Sequence, residues 1–156
     1  MVLKMDPGSS DWRFYLGSAD SVEAAPSIGP RMAQRLVQIG IKTIADLLQA
    51  DPEQTVQRLG HRRVSAADLR QWQQQATLAC RIPEVRGHDA QILVACGITE
   101  PEQLAKLGPA ELWKRVQPFA ASPEGKRIVR GGKAPDFEEV SNWVRWAAHA
   151  RTLRAA

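Results

Sequence analysis

The chain has 156 residues, 44% hydrophobic and 24% charged, which is the mixture of one compact domain or two small ones and excludes a wholly disordered polypeptide. No apolar run approaches the ~20 residues of a membrane span. The net charge of +4, with a pI near 9.4, is compatible with a polyanionic partner without demonstrating one.

Residues 1–19 read as an N-terminal arm or leader. Met1 to Ser10 hold Asp6, Pro7, Gly8 and two serines, so no signal-peptide core is present there, and the expected location is the cytoplasm with no membrane partner. Trp12, Phe14 and Leu16 alternate, which predicts an extended segment folded against helices. From there the pattern is helical. Met32, Leu36 and Ile39 share one side of a helix over Arg31–Ile39, and Gly40 supplies the residue that ends it. Thr43 with Asp46 forms a capping box for Ile44–Ala50. Asp51-Pro52 opens a helix to Leu59, stopped by Gly60. Ser65 with Asp68 opens Ala66–Cys80, striped by Leu69, Trp72, Ala76 and Ala79. Thr99 with Glu102 predicts a helix to Leu107, and Pro109 another to Val116. Ser122-Pro123 starts a short helix that Gly131-Gly132 stops. Asp136 with Glu139 caps the last helix, whose stripe is Phe137, Val140, Trp143, Val144 and Ala147.

The chain repeats itself at an offset of 57. Pro26, Ala33, Leu36, Val37, Gly40, Ile41, Leu47, Pro52 and Arg58 recur as Pro83, Ala90, Leu93, Val94, Gly97, Ile98, Leu104, Pro109 and Arg115. Beyond Leu59 the match breaks and resumes at an offset of 71, where Leu69, Trp72 and Ala76 face Val140, Trp143 and Ala147. The second copy therefore carries a fourteen-residue insertion within 118–135. The expected fold class is all-α, with two pseudo-repeated units, 20–81 and 82–153, sharing one core. The charge is uneven: residues 25–81 hold eight basic and four acidic side chains.

The string Ser27-Ile28-Gly29-Pro30-Arg31-Met32-Ala33, followed by Leu36, Gly40-Ile41, Thr43 and Leu47-Leu48, resembles a helix-hairpin-helix motif. Residues 21–48 cover it once and 78–105 cover a degenerate copy. As a whole, residues about 20–153 resemble a bacterial family of uncharacterised tandem helix-hairpin-helix domains, one of the domains of unknown function. The resemblance implies non-catalytic, sequence-independent binding of nucleic acid, duplex DNA favoured, with a phosphate held by turn amides and the N-terminus of the following helix. Ser27, Ile28, Gly29 and Arg31 fall on the motif's phosphate-binding positions, and Arg35 follows one turn later. Where the family usually has glycine this chain has Ser27, whose hydroxyl would add a donor. In the second copy Glu84 and Arg86 replace both glycines, and a carboxylate there would repel phosphate. That copy is therefore expected to be structural, with Arg86 or His88 offsetting the repulsion in part.

Two further basic groups are candidate auxiliary contacts: Arg62 and Arg63, beside Arg58 and His61, and Lys126, Arg127, Arg130 and Lys133 in the insertion. The competing reading makes both ordinary solvated surface. A protein-interaction or adaptor role is the alternative function, as the terminal domain of a larger protein. It would be marked by an exposed apolar patch near Trp146 or the Trp12–Leu16 arm. No enzyme is expected. His61, His88 and His149 lack metal-ligand spacing, and His88-Asp89 are neighbours one position apart on a helix, which do not face each other. Cys80 and Cys96 read as buried free thiols, and no cofactor or metal is implied. Trp72, Trp113 and Trp143 fall on apolar stripes and read as core rather than as stacking platforms for single strands.

Overall fold

The computed structural model describes residues 11–153; residues 1–10 of the expected arm lie outside the described residues. The described residues form nine α-helices and no strand, with a 3-10 turn at Val22–Ala24 and a single bridge between Ser21 and Thr43. The helices are α1 Pro30–Gln38, α2 Ile44–Gln49, α3 Pro52–Leu59, α4 Ala66–Arg81, α5 Gly87–Ala95, α6 Pro101–Lys106, α7 Pro109–Ala121, α8 Pro123–Val129 and α9 Phe137–Ala147.

Most boundaries follow from local chemistry. Thr43 and Asp46 cap α2 reciprocally, and Ser65 and Asp68 do the same for α4. The Lys42 and Thr43 amides that donate to the Asp46 carboxylate hold it below the ordinary carboxylate range. Asp51 caps α3 and Gly60 closes it at φ 61. Gly40 (φ 93) and Gly97 (φ 92) end α1 and α5 in the left-handed region that glycine adopts without penalty. Behind each, the next amide reaches back into the helix, from Ile41 to the Leu36 carbonyl at 2.9 Å and from Ile98 to Leu93 at 2.9 Å.

Some local expectations are corrected. The cap of α6 is Glu100 with Gln103, whose side-chain oxygen takes the amides of Thr99 and Glu100; Glu102 turns away to Arg81 at 2.6 Å. Helix α7 runs past Val116 to Ala121 with Pro118 inside it, where the proline forgoes the amide bond to the carbonyl four residues earlier. Phe137, placed on the core stripe of α9, is 47% exposed, since it occupies the first position of that helix and overhangs its end.

Leu36, Leu47, Leu69, Leu93, Leu104 and Leu112 belong to one buried cluster with Val140 and Trp143. Trp72, Trp113 and Trp146 pack half-buried on its edge. The segment 11–16 keeps its expected alternation, with Leu16 buried, Trp12 and Phe14 half-buried, and Arg13 and Tyr15 outward. It forms no strand, and Trp12 stacks on His149 at 4.8 Å between ring centres.

Cys80 is fully buried as expected, whereas Cys96 is only half-buried and donates its thiol to the Arg115 carbonyl at 3.6 Å. Burial pushes the Cys80 thiol from its ordinary 9.0 up to about 11. Between those values the unfolded chain releases a proton that the folded chain keeps. This contribution to stability is complete below pH 9 and is lost as pH rises, by about 2 kcal/mol near pH 10.5. Urea melts at mildly and strongly alkaline pH should show this loss, and Cys80→Ala should show correspondingly less of it; equal slopes in the two proteins would refute the assignment.

Candidate nucleic-acid interface

The turn between Ala25 and α1 starts from a strained residue. Ser27 sits at φ 70, where a side chain is disfavoured. Its hydroxyl donates to Oε1 of Gln75 at 2.7 Å and accepts from Nε2 of Gln91 at 2.9 Å. These bonds from α4 and α5 offset the strain. They also occupy the hydroxyl expected to meet a phosphate, so the contribution of Ser27 to an outside ligand is confined to its backbone. Ile28 is buried, and its amide makes one long bond, 3.4 Å, to the Ala25 carbonyl. Gly29 is the N-cap of α1 at φ −87, ψ 179, an extended conformation open to any residue. A β-carbon there would have nothing within 4 Å. Glycine is thus not needed at position 29 for backbone shape; its effect is to leave the helix end uncovered.

Pro30 at N1 has no amide hydrogen, no side chain caps α1, and its first turn carries no acidic residue. Arg31 and Arg35 stand on this short helix four residues apart, on one face, both exposed. The end of α1 therefore combines free helix-dipole charge with two guanidinium groups. Arg58 is not part of this surface, because its Nη2 donates to the Ile39 carbonyl at 2.7 Å and caps the other end of α1.

The corresponding corner before α5 is closed by the protein itself. Glu84 adopts φ 69, and its amide donates to the Arg13 carbonyl at 2.7 Å. The Arg13 amide in turn donates to Glu84 Oε2 at 3.1 Å. At the helix end, the Asp89 carboxylate accepts the Arg86 amide at 3.0 Å. His88 Nε2 lies 3.2 Å from Asp89 Oδ1, correcting the expectation that these neighbours do not meet: a side chain in the first turn bends back toward the helix end. Asp89 is buried, which pushes its carboxyl up, while the Arg86 amide and His88 pull it down. Sequence reasoning missed this plug, although Asp three residues after an N-cap is a visible capping signal. The equivalent position in α1 is Met32, which offers no anion.

The insertion residues do not form one patch. Lys126 borders an apolar cavity of about 540 Å³ with Trp113, Val129 and Pro135. Arg130 and Lys133 instead border a polar cleft with Arg86 and His88. Arg127 is exposed on α8 and lines neither, and Arg62 and Arg63 are exposed in the loop between α3 and α4. Among the described residues no cluster of three or more His, Cys, Asp or Glu could hold a metal ion, and no helix is long and apolar enough to cross a membrane.

No curated protein and no solved structure matches this chain. A family model does, over residues 26–150, a span that contains the turn at Ser27, all nine helices and the insertion, and by that match the chain belongs to DUF4332, a domain of unknown function.

Proposed function

We propose that the protein binds nucleic acid, duplex DNA in preference, without catalysis and without reading base sequence, through the turn at Ser27–Gly29 and the start of α1. In this reading residues 20–81 and 82–153 are two helix-hairpin-helix units sharing one core. Supporting the pairing, α1 and α5, and α2 and α6, begin and end 57 positions apart, as do the left-handed residues Ser27 and Glu84. The observation that carries the function is the contrast between the two helix ends. The end of α5 is filled by Asp89 and the turn before it is covered by Arg13, whereas the end of α1 is uncapped, exposed and flanked by Arg31 and Arg35. A phosphate oxygen is the ligand that such a corner favours. Contacts of this kind recognise the backbone and leave the bases unread. Arg62, Arg63, Lys126, Arg127, Arg130 and Lys133 add long-range attraction.

Fluorescence anisotropy with labelled duplex, single-stranded and junction DNA at two salt levels tests this reading. Affinity for duplex should fall with salt at a log–log slope of about −0.9 per phosphate neutralised. Gly29→Glu and Arg31→Glu should each lower duplex affinity about tenfold or more at low salt, since each sets a carboxylate against a phosphate. Both positions are exposed, so the fold should survive and circular dichroism should be unchanged. Affinity indifferent to both substitutions in a folded protein removes this site.

A protein-binding role is the second reading. It is favoured by the apolar cavity beside Trp113 together with the exposed ring of Phe137, which meets Trp113 edge-on at 6.1 Å. Absence of DNA binding even at low salt would favour it.

A further inference from the structure

A cleft of about 620 Å³ lies where the insertion meets α5. Arg86 and His88 line it from the start of α5, Gln91 from one turn later, and Arg130 and Lys133 from the end of the insertion helix. Glu139 is the one carboxylate on its wall. Among the described residues, neither Arg86, Arg130 nor Lys133 makes an ion pair. Three basic side chains thus face one concavity against Glu139 on its wall and Asp89 behind His88 and Arg86, a surplus of positive charge that attracts a polyanion. The guanidinium groups present planar donor forks suited to phosphate oxygens. Arg130 itself is held at φ 52, ψ 48, a conformation usually left to glycine or asparagine, so a charged side chain is kept where the backbone would favour another residue.

The cleft adjoins the first turn. Gln91, on its wall, donates to the Ser27 hydroxyl, and the ring of Pro26 lies 3.6 Å from where a β-carbon on Gly87 would stand. We infer that this cleft is a second anion site, taking phosphodiester groups of the same nucleic acid that docks on α1. The inserted helix thus supplies cations beside the hairpin turn that Arg13 and Asp89 have closed. Arg86 and His88 become part of the binding surface through the cleft, not through the turn. This inference rests on the nucleic-acid reading above, and its test is built to fail separately from it.

The double variant R130G/K133Q removes two charges and places glycine where the backbone is left-handed, so the fold is retained. Its log–log salt slope for duplex binding should be shallower by about 1.8, two phosphates at ~0.9 each. In the 15N-labelled full chain, a short duplex should shift the amides of His88, Arg130 and Gly132 together with those of Gly29 and Arg31. Inorganic pyrophosphate alone should shift the cleft amides only at millimolar concentration. A duplex that moves Gly29 and Arg31 but leaves the cleft amides and the slope unchanged overturns the second site and spares the hairpin. Shifts confined to the cleft keep the second site and overturn the hairpin. Micromolar pyrophosphate binding without any response to duplex overturns the phosphodiester assignment in favour of a small phosphate compound.

Discussion

Gly125→Ala should lower the unfolding free energy by about 3 kcal/mol, the upper part of the usual cost of overpacking a tight contact. Gly125 is buried in α8 against the end of α7. A β-carbon there would stand 2.2 Å from the Phe119 carbonyl oxygen and 2.8 Å from the Ala120 α-carbon. Both obstacles are backbone, so no rotamer change relieves the clash. The corner cannot open freely, because Ser122 ties it on both sides: its amide donates to the Phe119 carbonyl at 3.0 Å, and its hydroxyl accepts the Gly125 amide at 3.1 Å. Thermal melts should show a loss of about 6–12 °C for a domain of this size. Gly17→Ala is the control, since Gly17 lies outside the helices, a β-carbon there meets only the Asp20 side chain at an ordinary 3.7 Å, and the melt should change little. A Gly125→Ala melt indistinguishable from the control would show that α8 is not seated on α7 as described. The same variant displaces Arg130 and Lys133, so it should also flatten the salt dependence of DNA binding.

Arg151→Ala should cost about 2–3 kcal/mol, in line with the loss of charge-assisted hydrogen bonds at partly buried sites. Helix α4 ends with carbonyls that have no partner inside the helix. Arg151 supplies two of them, its Nε donating to Cys80 at 2.8 Å and its amide to Arg81 at 2.9 Å. Its Nη2 donates to the Leu16 carbonyl at 3.0 Å, and the guanidinium lies 3.8 Å from the centre of the Phe14 ring. Arg81 completes the exchange by donating from Nε to the Arg151 carbonyl at 2.8 Å. One side chain thereby holds the N-terminal segment, the end of α4 and the C-terminal segment together. Arg151→Lys should recover only part of the loss, because an ammonium lacks the planar fork that reaches both carbonyls. Urea unfolding of the three proteins checks this; equal stability of Arg151→Ala and the parent would mean that the tail is not anchored there. Loosening of segment 11–16 should also speed hydrogen exchange at the Glu84 amide, which donates to Arg13.

The turns before α1 and before α5 differ in how much of each is legible in the sequence. Ser27, Gly29, Arg31 and Arg35 were legible as a unit because a turn and its following helix are written in consecutive residues. The fate of the Ser27 hydroxyl was not, since its partners Gln75 and Gln91 lie 48 and 64 positions away. In the turn before α5, the loss of both expected glycines to Glu84 and Arg86, and the carboxylate's charge, pointed to a degenerate copy. The contacts that close it come from Arg13, 71 positions from Glu84, and from Asp89. The basic insertion was legible as charge, but its division between an apolar cavity at Lys126 and a polar cleft at Arg130 and Lys133 depends on how α8 lies against α5 and α7.

By itself, the order of residues determined most of the helices and many of their ends, though not the cap of α6 or the run of α7 past Val116. Caps such as Thr43 with Asp46 and Ser65 with Asp68 act within three positions, and left-handed closures at Gly40 and Gly97 depend only on a missing β-carbon. Tertiary structure alone decided that Arg13 covers the turn before α5, which cations share a cleft, and that α7 and α8 meet through Gly125. The reason is physical: capping and periodicity are short-range along the chain, whereas access to an amide, the grouping of charges and the closeness of two backbones depend on segments brought together only by burying a common apolar surface.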